Sequence, residues 1–252
     1  MRCWAHRIGG CSSKQSKEHY ITEGLWKSRS ITIKGFDWLG DEEKTLPLPS
    51  LTSKILCTTH NSRLSPLDAE AIRIFNVLDE IKRLNDVRTK LKPTKFWHVK
   101  RYSANGNLFE RWAAKTAIGV LCATNKDLEW HQFRTPIVDP PQQILNAVFG
   151  CLGFVPPLGL YVAIKDGDQH DFPDAVNLAP LFHPDGGFVG ANLEFKQMRF
   201  LIWLDNTSPT IFNIEVGGTL FGPDGEELMY RLKEMRFEIR KVLSQAFKLE
   251  WA

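Results

Sequence analysis

At 252 residues, with 43% hydrophobic and 24% charged side chains, the chain is long enough for one large domain or two modest ones and has an ordinary globular composition. It contains no run of about eighteen apolar residues, which argues against a membrane-spanning helix, and its opening MRCWAHRIGGCSSK lacks the apolar segment of a secretory signal, so a cytoplasmic protein is expected. The net charge of +3 is small but uneven: residues 1–65 hold ten Lys/Arg against six Asp/Glu and the rest 22 against 23, a bias that fits a polyanionic partner.

In chain order, RSITIKGFDWLG alternates at Ile31, Ile33 and Phe36 and ends in glycines, which predicts a strand entering a turn. LPLPSLTSKILC predicts a second extended segment that returns as a hairpin partner, with Pro47 and Pro49 confining it to an edge. SPLDAEAIRIFNVLDEIKRLNDVRTKL predicts a helix capped by Ser65, with Pro66 in its first position and Asp68 in its first turn. Ala71, Ile74, Leu78, Ile81 and Leu84 form its apolar stripe. FWHVKRYS reads as a strand, and NLFERWAAKTAIGVLCAT as a helix apolar nearly all round and therefore buried. Beyond Asn125, prolines punctuate short runs, of which LGLYVAIKDG, MRFLIWLD and IFNIEVGGTLFG predict strands. GEELMYRLKEMRFEIRKVLSQAF predicts a closing helix. The expected fold is α+β. Residues 1–65 would form a small zinc-bound module, 66–126 a helical connector, and 127–252 an α+β part with a mixed or antiparallel sheet.

The five cysteines, odd in number, argue against a disulfide framework. Cys122 and Cys151, in apolar runs, are expected to be buried hydrophobes. Cys3, Cys11, Cys57 and His60 are different. Cys57-x2-His60 is a knuckle spacing in which both side chains reach one ion across a tight turn. With the thiols of Cys3 and Cys11 they make the four-ligand set of a structural zinc site. The seven-residue gap between Cys3 and Cys11 exceeds the usual two to four, and His6 is an alternative ligand. Nearby stand Glu18, His19 and Asn61. If the hairpin folds onto the helix, a neutral His19 could take a proton from water. The Glu18 carboxylate and the Asn61 amide oxygen could hold a hard divalent ion, Mg²⁺ or Mn²⁺, which stabilises a scissile phosphate.

CSSKQSKEHYI followed by ILCTTHNSRLSPLD resembles the HNH endonucleases, in the subgroup with a zinc-stabilised ββα-metal (treble-clef) core. The resemblance covers residues 1–68. It implies His19 as general base, Glu18 and Asn61 as ligands of the catalytic divalent ion, and Cys3, Cys11, Cys57 and His60 as zinc ligands. Arg63 would be placed for a phosphate. The implied function is metal-dependent hydrolysis of phosphodiester bonds, with DNA as the expected substrate. The sequence departs from the family at Thr52, where an asparagine that orients the base-bearing loop usually falls. A catalytically impaired, zinc-stapled nucleic-acid-binding or interaction module is therefore the alternative. Elsewhere, DQHDFPD and LFHPDGG hold His170, Asp171, His183 and Asp185, which could suggest a second metal site, but the spacing fits no ligand template and the Asp-Gly, Pro-Asp and His-Pro pairs read as ordinary turn chemistry. VKRYSANGNLFERW mixes basic and aromatic residues as a strand edge and a buried helix face do. No phosphate-cradling glycine loop or nucleophile elbow is present.

Overall fold

Hydrogen bonding of the knuckle sets where the first long helix begins. In the computed structural model, which describes residues 3–34, 42–90, 100–124, 127–164, 176–195, 198–207, 220–221, 227–239 and 243–251, α1 spans Thr58–Lys90. It starts seven residues before the Ser65 cap expected from sequence, and Pro66 lies inside it. The cause is local. The Thr58 N–H donates to the Lys14 carbonyl at 3.0 Å, and the Asn61 N–H donates to the Cys57 carbonyl at 2.9 Å, so the first turn forms directly on the Cys57 knuckle. Leu64, Leu67, Ala71, Ile74, Leu78 and Ile81 bury the predicted stripe.

Ahead of α1 lie strand β1 (Glu18–His19), β2 (Ser30–Ile33), β3 (Lys44–Pro47) and β4 (Thr52–Ser53). β2 and β3 pair antiparallel with Ser30 opposite Pro47, so a hairpin forms, but its second strand ends at Pro47 and most of the expected return segment instead makes a 3-10 turn at Leu48–Ser50 and then β4. β1 pairs antiparallel with β4, with His19 opposite Thr52 and Glu18 opposite Ser53. The pairing continues to the knuckle through a Gln15–Cys57 bridge and a Ser16 N–H bond to the Leu56 carbonyl at 2.9 Å. Two two-stranded sheets, β1-β4 and β2-β3, therefore precede α1.

β5 (Arg101–Asn105) leads into α2 (Gly106–Thr124), which is buried almost throughout. Its Phe109 and Trp112 stack at 5.4 Å, and with Phe75, Phe195 and Phe200 they form an aromatic cluster joining both helices to the main sheet. Each such ring pair contributes about 0.5–1.5 kcal/mol beyond its area term. After α3 (Gln142–Val148) come β6 (Gly159–Ile164), β7 (Val176–Phe182), β8 (Phe188–Phe195) and β9 (Met198–Trp203). β10 (Leu220–Phe221), β11 (Glu227–Tyr230), β12 (Glu234–Ile239) and β13 (Leu243–Glu250) follow. Six of these strands form an antiparallel sheet in the order β10-β11-β6-β9-β8-β7. A second, mixed sheet has the order β12-β13-β5, with β13 parallel to β5.

The α+β class is as expected. The closing helix is not: residues 227–230, 234–239 and 243–250 are strands. Glu, Lys, Arg, Met and Leu favour helices, but EMRFEI also alternates apolar and polar residues with period two, and pairing with β13 decides between the patterns. Cys151 is exposed rather than buried, because it follows the end of α3 in a surface turn; Cys122 is buried as expected. The expected boundary at residue 65 falls inside α1; among the described residues a large apolar core includes residues from Cys3 to Leu249, and a second, smaller cluster holds Tyr161, Val189, Leu201, Trp203 and Leu228. Most of the expected strand IFNIEVGGTLFG, together with His170 and Asp171, lies outside the described residues. No described helix is long and apolar enough to cross a membrane.

Candidate metal centre

Cys3, Cys11, Cys57 and His60 converge so that one ligand atom from each lies within 4.8 Å of all the others. The sulfurs of Cys57, Cys3 and Cys11 stand 3.3, 3.4 and 3.5 Å from His60 Nδ1. A tetrahedral ion with zinc-like bond lengths of about 2.3 Å to sulfur and 2.0–2.1 Å to nitrogen sets its N···S edges at about 3.5 Å. The four donors therefore fit a closed tetrahedral centre for a metal such as zinc.

Each ligand is placed by backbone. Cys3 precedes Trp4, whose N–H donates to the Ile55 carbonyl at 3.0 Å, so the start of the described chain is pinned to the segment before the knuckle. Gly9 and Gly10 have φ of 80° and 69° and turn the chain back to bring in Cys11. Cys57 ends the paired segment, and His60 lies in the first turn of α1. His60 Nε2–H donates to the Gly9 carbonyl at 2.9 Å. A carbonyl only accepts, so the proton is on Nε2 and the Nδ1 lone pair faces the three sulfurs. Phe149 packs edge-on against this ring at 5.3 Å.

The electrostatics differ among the ligands. Burial pushes the Cys3 thiol up to about 12. Burial also opposes ionisation of Cys57, but hydrogen bonds from His60 and Ser12 outweigh it and bring that thiol down to about 7. Burial lowers the pKa of His60, the hydrogen bond to Gly9 opposes that, and the neighbouring Arg63 charge adds to the lowering, a balance that favours the neutral imidazole able to ligate. The alternative ligand His6 turns elsewhere. Its Nδ1 bonds the Cys3 carbonyl at 3.2 Å, and its Nε2 lies 3.5 Å from Asp139.

The residues expected to form the hydrolytic site are each engaged separately. Glu18 is buried, and its Oε1 lies 2.8 Å from the Lys115 ammonium, which also contacts Asp68 at 2.6 Å. Asp68 in turn accepts from Thr22 Oγ1 at 2.6 Å, and Thr22 accepts from the Trp112 indole at 2.9 Å. Burial raises the pKa of Glu18, and Lys115 acts against that rise. Asn61 Nδ2 donates to Ser16 Oγ at 2.7 Å. His19 is half-buried, with Nε2 3.3 Å from Glu23 and Nδ1 buried without a partner among the described residues. Neighbours on a strand project to opposite faces, so Glu18 turns inward to α1 and α2 while His19 turns to Glu23. Thr52 Oγ1 donates to the Pro49 carbonyl at 3.2 Å, holding its own turn. Arg63 is exposed and lies over the Phe149 ring at 5.1 Å.

Sequence reading missed Lys115 and Asp68 as partners of Glu18. A lysine in the apolar run AAKTAIG of a buried helix was the available signal, since a buried lysine requires a carboxylate. No protein-family model, curated protein or solved structure matches this chain.

Proposed function

We propose that the N-terminal part is a zinc-stapled module of the HNH kind that binds nucleic acid without turning it over. The observation that carries this reading is the Lys115 ammonium between Glu18 and Asp68, in the place where a catalytic divalent ion would need a free carboxylate. A second cation beside it would meet like charge in a buried site. The zinc would hold the paired segments on the start of α1 and take no part in chemistry. Support for a polyanionic partner comes from exposed Lys14, Lys17, Lys54 and Arg63, which lie on those paired segments and on the first turns of α1. Binding of short duplex DNA, read by fluorescence anisotropy, should weaken with salt at a log–log slope of about −3 to −4, one unit per phosphate contact. Lys17→Glu with Lys54→Glu should reduce that slope by about two. Absence of binding at low salt would sink the proposal.

Metal-dependent phosphodiester hydrolysis is the second reading. The feature that favours it is His19, whose buried Nδ1 has no described partner and whose Nε2 faces Glu23, an arrangement suited to a base held by a carboxylate. Incubation of supercoiled plasmid with Mg²⁺ or Mn²⁺, with and without chelator, separates the two. Nicking that His19→Ala abolishes would establish the hydrolytic reading and overturn the first.

A further inference from the structure

Away from the knuckle, the loop after α2 and the turn between β7 and β8 bring together residues from two distant parts of the sequence. One ligand atom each from His131, His183 and Asp185 lies within 4.8 Å of the other two. The imidazole rings of His131 and His183 stack at 3.7 Å between centroids and 18° between planes. We propose that these three residues form a second metal site, for a divalent transition-metal ion of the zinc, cobalt or nickel class, with coordination positions left open to water or a ligand.

The surroundings have the construction of a site rather than of a chance surface pair. Asp205 is only 4% exposed. Its Oδ1 accepts from the Thr207 N–H at 2.8 Å and from Thr207 Oγ1 at 2.6 Å, and its Oδ2 lies 3.3 Å from His131 Nδ1. With Oδ1 taken up by Thr207, Asp205 presents Oδ2 as the acceptor for the Nδ1–H of His131. The Nε2 lone pair of His131 is then left to ligate. This carboxylate–imidazole pairing is the outer-shell arrangement that orients ligating histidines. His183 Nδ1 accepts the Asp185 N–H at 3.1 Å and lies 3.5 Å from the Asp185 carboxylate, so its lone pair is engaged in that turn. Binding an ion requires the half-buried His183 ring to give up that bond and turn out of its stack on His131, so that its lone pair and the His131 Nε2 lone pair meet at one point beside the exposed Asp185 carboxylate. Two imidazoles and one carboxylate are a donor set suited to this class of metals.

The backbone holds the two rings in register. Gly186 and Gly187 have φ of 88° and 90°. A Cβ on Gly187 would come within 2.5 Å of His131 Cα, so only glycine lets the turn approach the loop this closely. The His131 N–H donates to the Phe188 carbonyl at 3.2 Å, and Trp130 bridges Phe188. Buried Trp130 and Phe188 pack against each other at 5.2 Å beneath the histidines. The turn residues HPDGG therefore supply both a ligand pair and the close approach that brings it to His131.

The test uses the full chain without an affinity tag, loaded with one equivalent of zinc to fill the cysteine centre. Co²⁺ is then titrated in and followed by calorimetry and visible absorption. The expected result is one further equivalent per chain, binding tighter than about 100 μM, with ligand-field bands but no near-ultraviolet thiolate charge transfer. His131→Ala and His183→Ala should each abolish that equivalent while leaving the tightly held zinc and the far-ultraviolet circular dichroism unchanged. Asp205→Asn should weaken it by at least about tenfold. A native chain that takes up no second equivalent at this affinity overturns the proposal. So does uptake that both folded histidine variants retain, or cobalt carrying the thiolate signature, which would place the ion at the cysteines.

Discussion

Single side chains decide what each cluster can do. His60 is a usable ligand because Gly9 fixes its proton on the far nitrogen; without that carbonyl, the ring would be free to present an N–H to the three sulfurs. Glu18 is adjacent in sequence to a histidine, yet its chemistry is set by Lys115, nearly a hundred positions away. Removing the ammonium alone leaves two carboxylates facing each other, one of them buried. Lys115→Met should therefore destabilise the chain by about 3–5 kcal/mol in urea titration. Glu18→Gln combined with Lys115→Met should recover part of that loss, because the buried charge is gone as well. At this scale the four soft donors were legible from type and spacing. The ion triad was not, because nothing in EH or in AAKTAIG tells which distant partner each charge meets. His131 was invisible for the same reason: a lone histidine in EWHQF acquires its meaning only from a turn some fifty residues on.

Secondary-structure elements show why part of the fold could be read and part could not. The α1 stripe, the β2–β3 hairpin and the apolar α2 were legible because each carries one period without a rival. The start of α1 was misplaced because a capping serine and a proline at residues 65–66 give a strong local signal, whereas the true start is set by a bond from Thr58 to Lys14 that no local pattern records. The C-terminal strands were misread because helix-favouring residues and period-two alternation coexist there, and only the β13 pairing to β5 resolves them. The knuckle turn offers a direct check on the first of these. Cys57→Ser should abolish zinc uptake at the four-donor cluster, measured by elemental analysis of the purified chain, and should also loosen the first turn of α1. The loosening would appear as faster amide exchange at Asn61, whose N–H is bonded to the Cys57 carbonyl. Unchanged zinc content in Cys57→Ser would exclude the four-ligand centre.

For the molecule as a whole, the larger apolar core takes in residues from Cys3 to Leu249, so the metal module and the sheets are expected to melt together. Arg7 reinforces the connection with an ion pair to Asp139 at 2.5 Å. A structural zinc can supply about 10–16 kcal/mol to a small module, and here that contribution is shared with everything packed on α1. Stripping the metal with a strong chelator should lower the melting temperature of the entire chain. Tryptophan fluorescence and far-ultraviolet circular dichroism should then report one coincident transition. Two separated transitions would show that the N-terminal quarter melts by itself.

The mixed sheet carries a consequence for biogenesis. β5 has β13 as its parallel neighbour, and that strand is synthesised only after more than half the chain has followed. While a ribosome is still making the intervening sheet, the β5 edge stands open to any passing strand, and closing it demands a long-range encounter of the kind that slows folding. Nascent chains released before residue 243 should therefore be insoluble or chaperone-bound even when their zinc knuckle is complete.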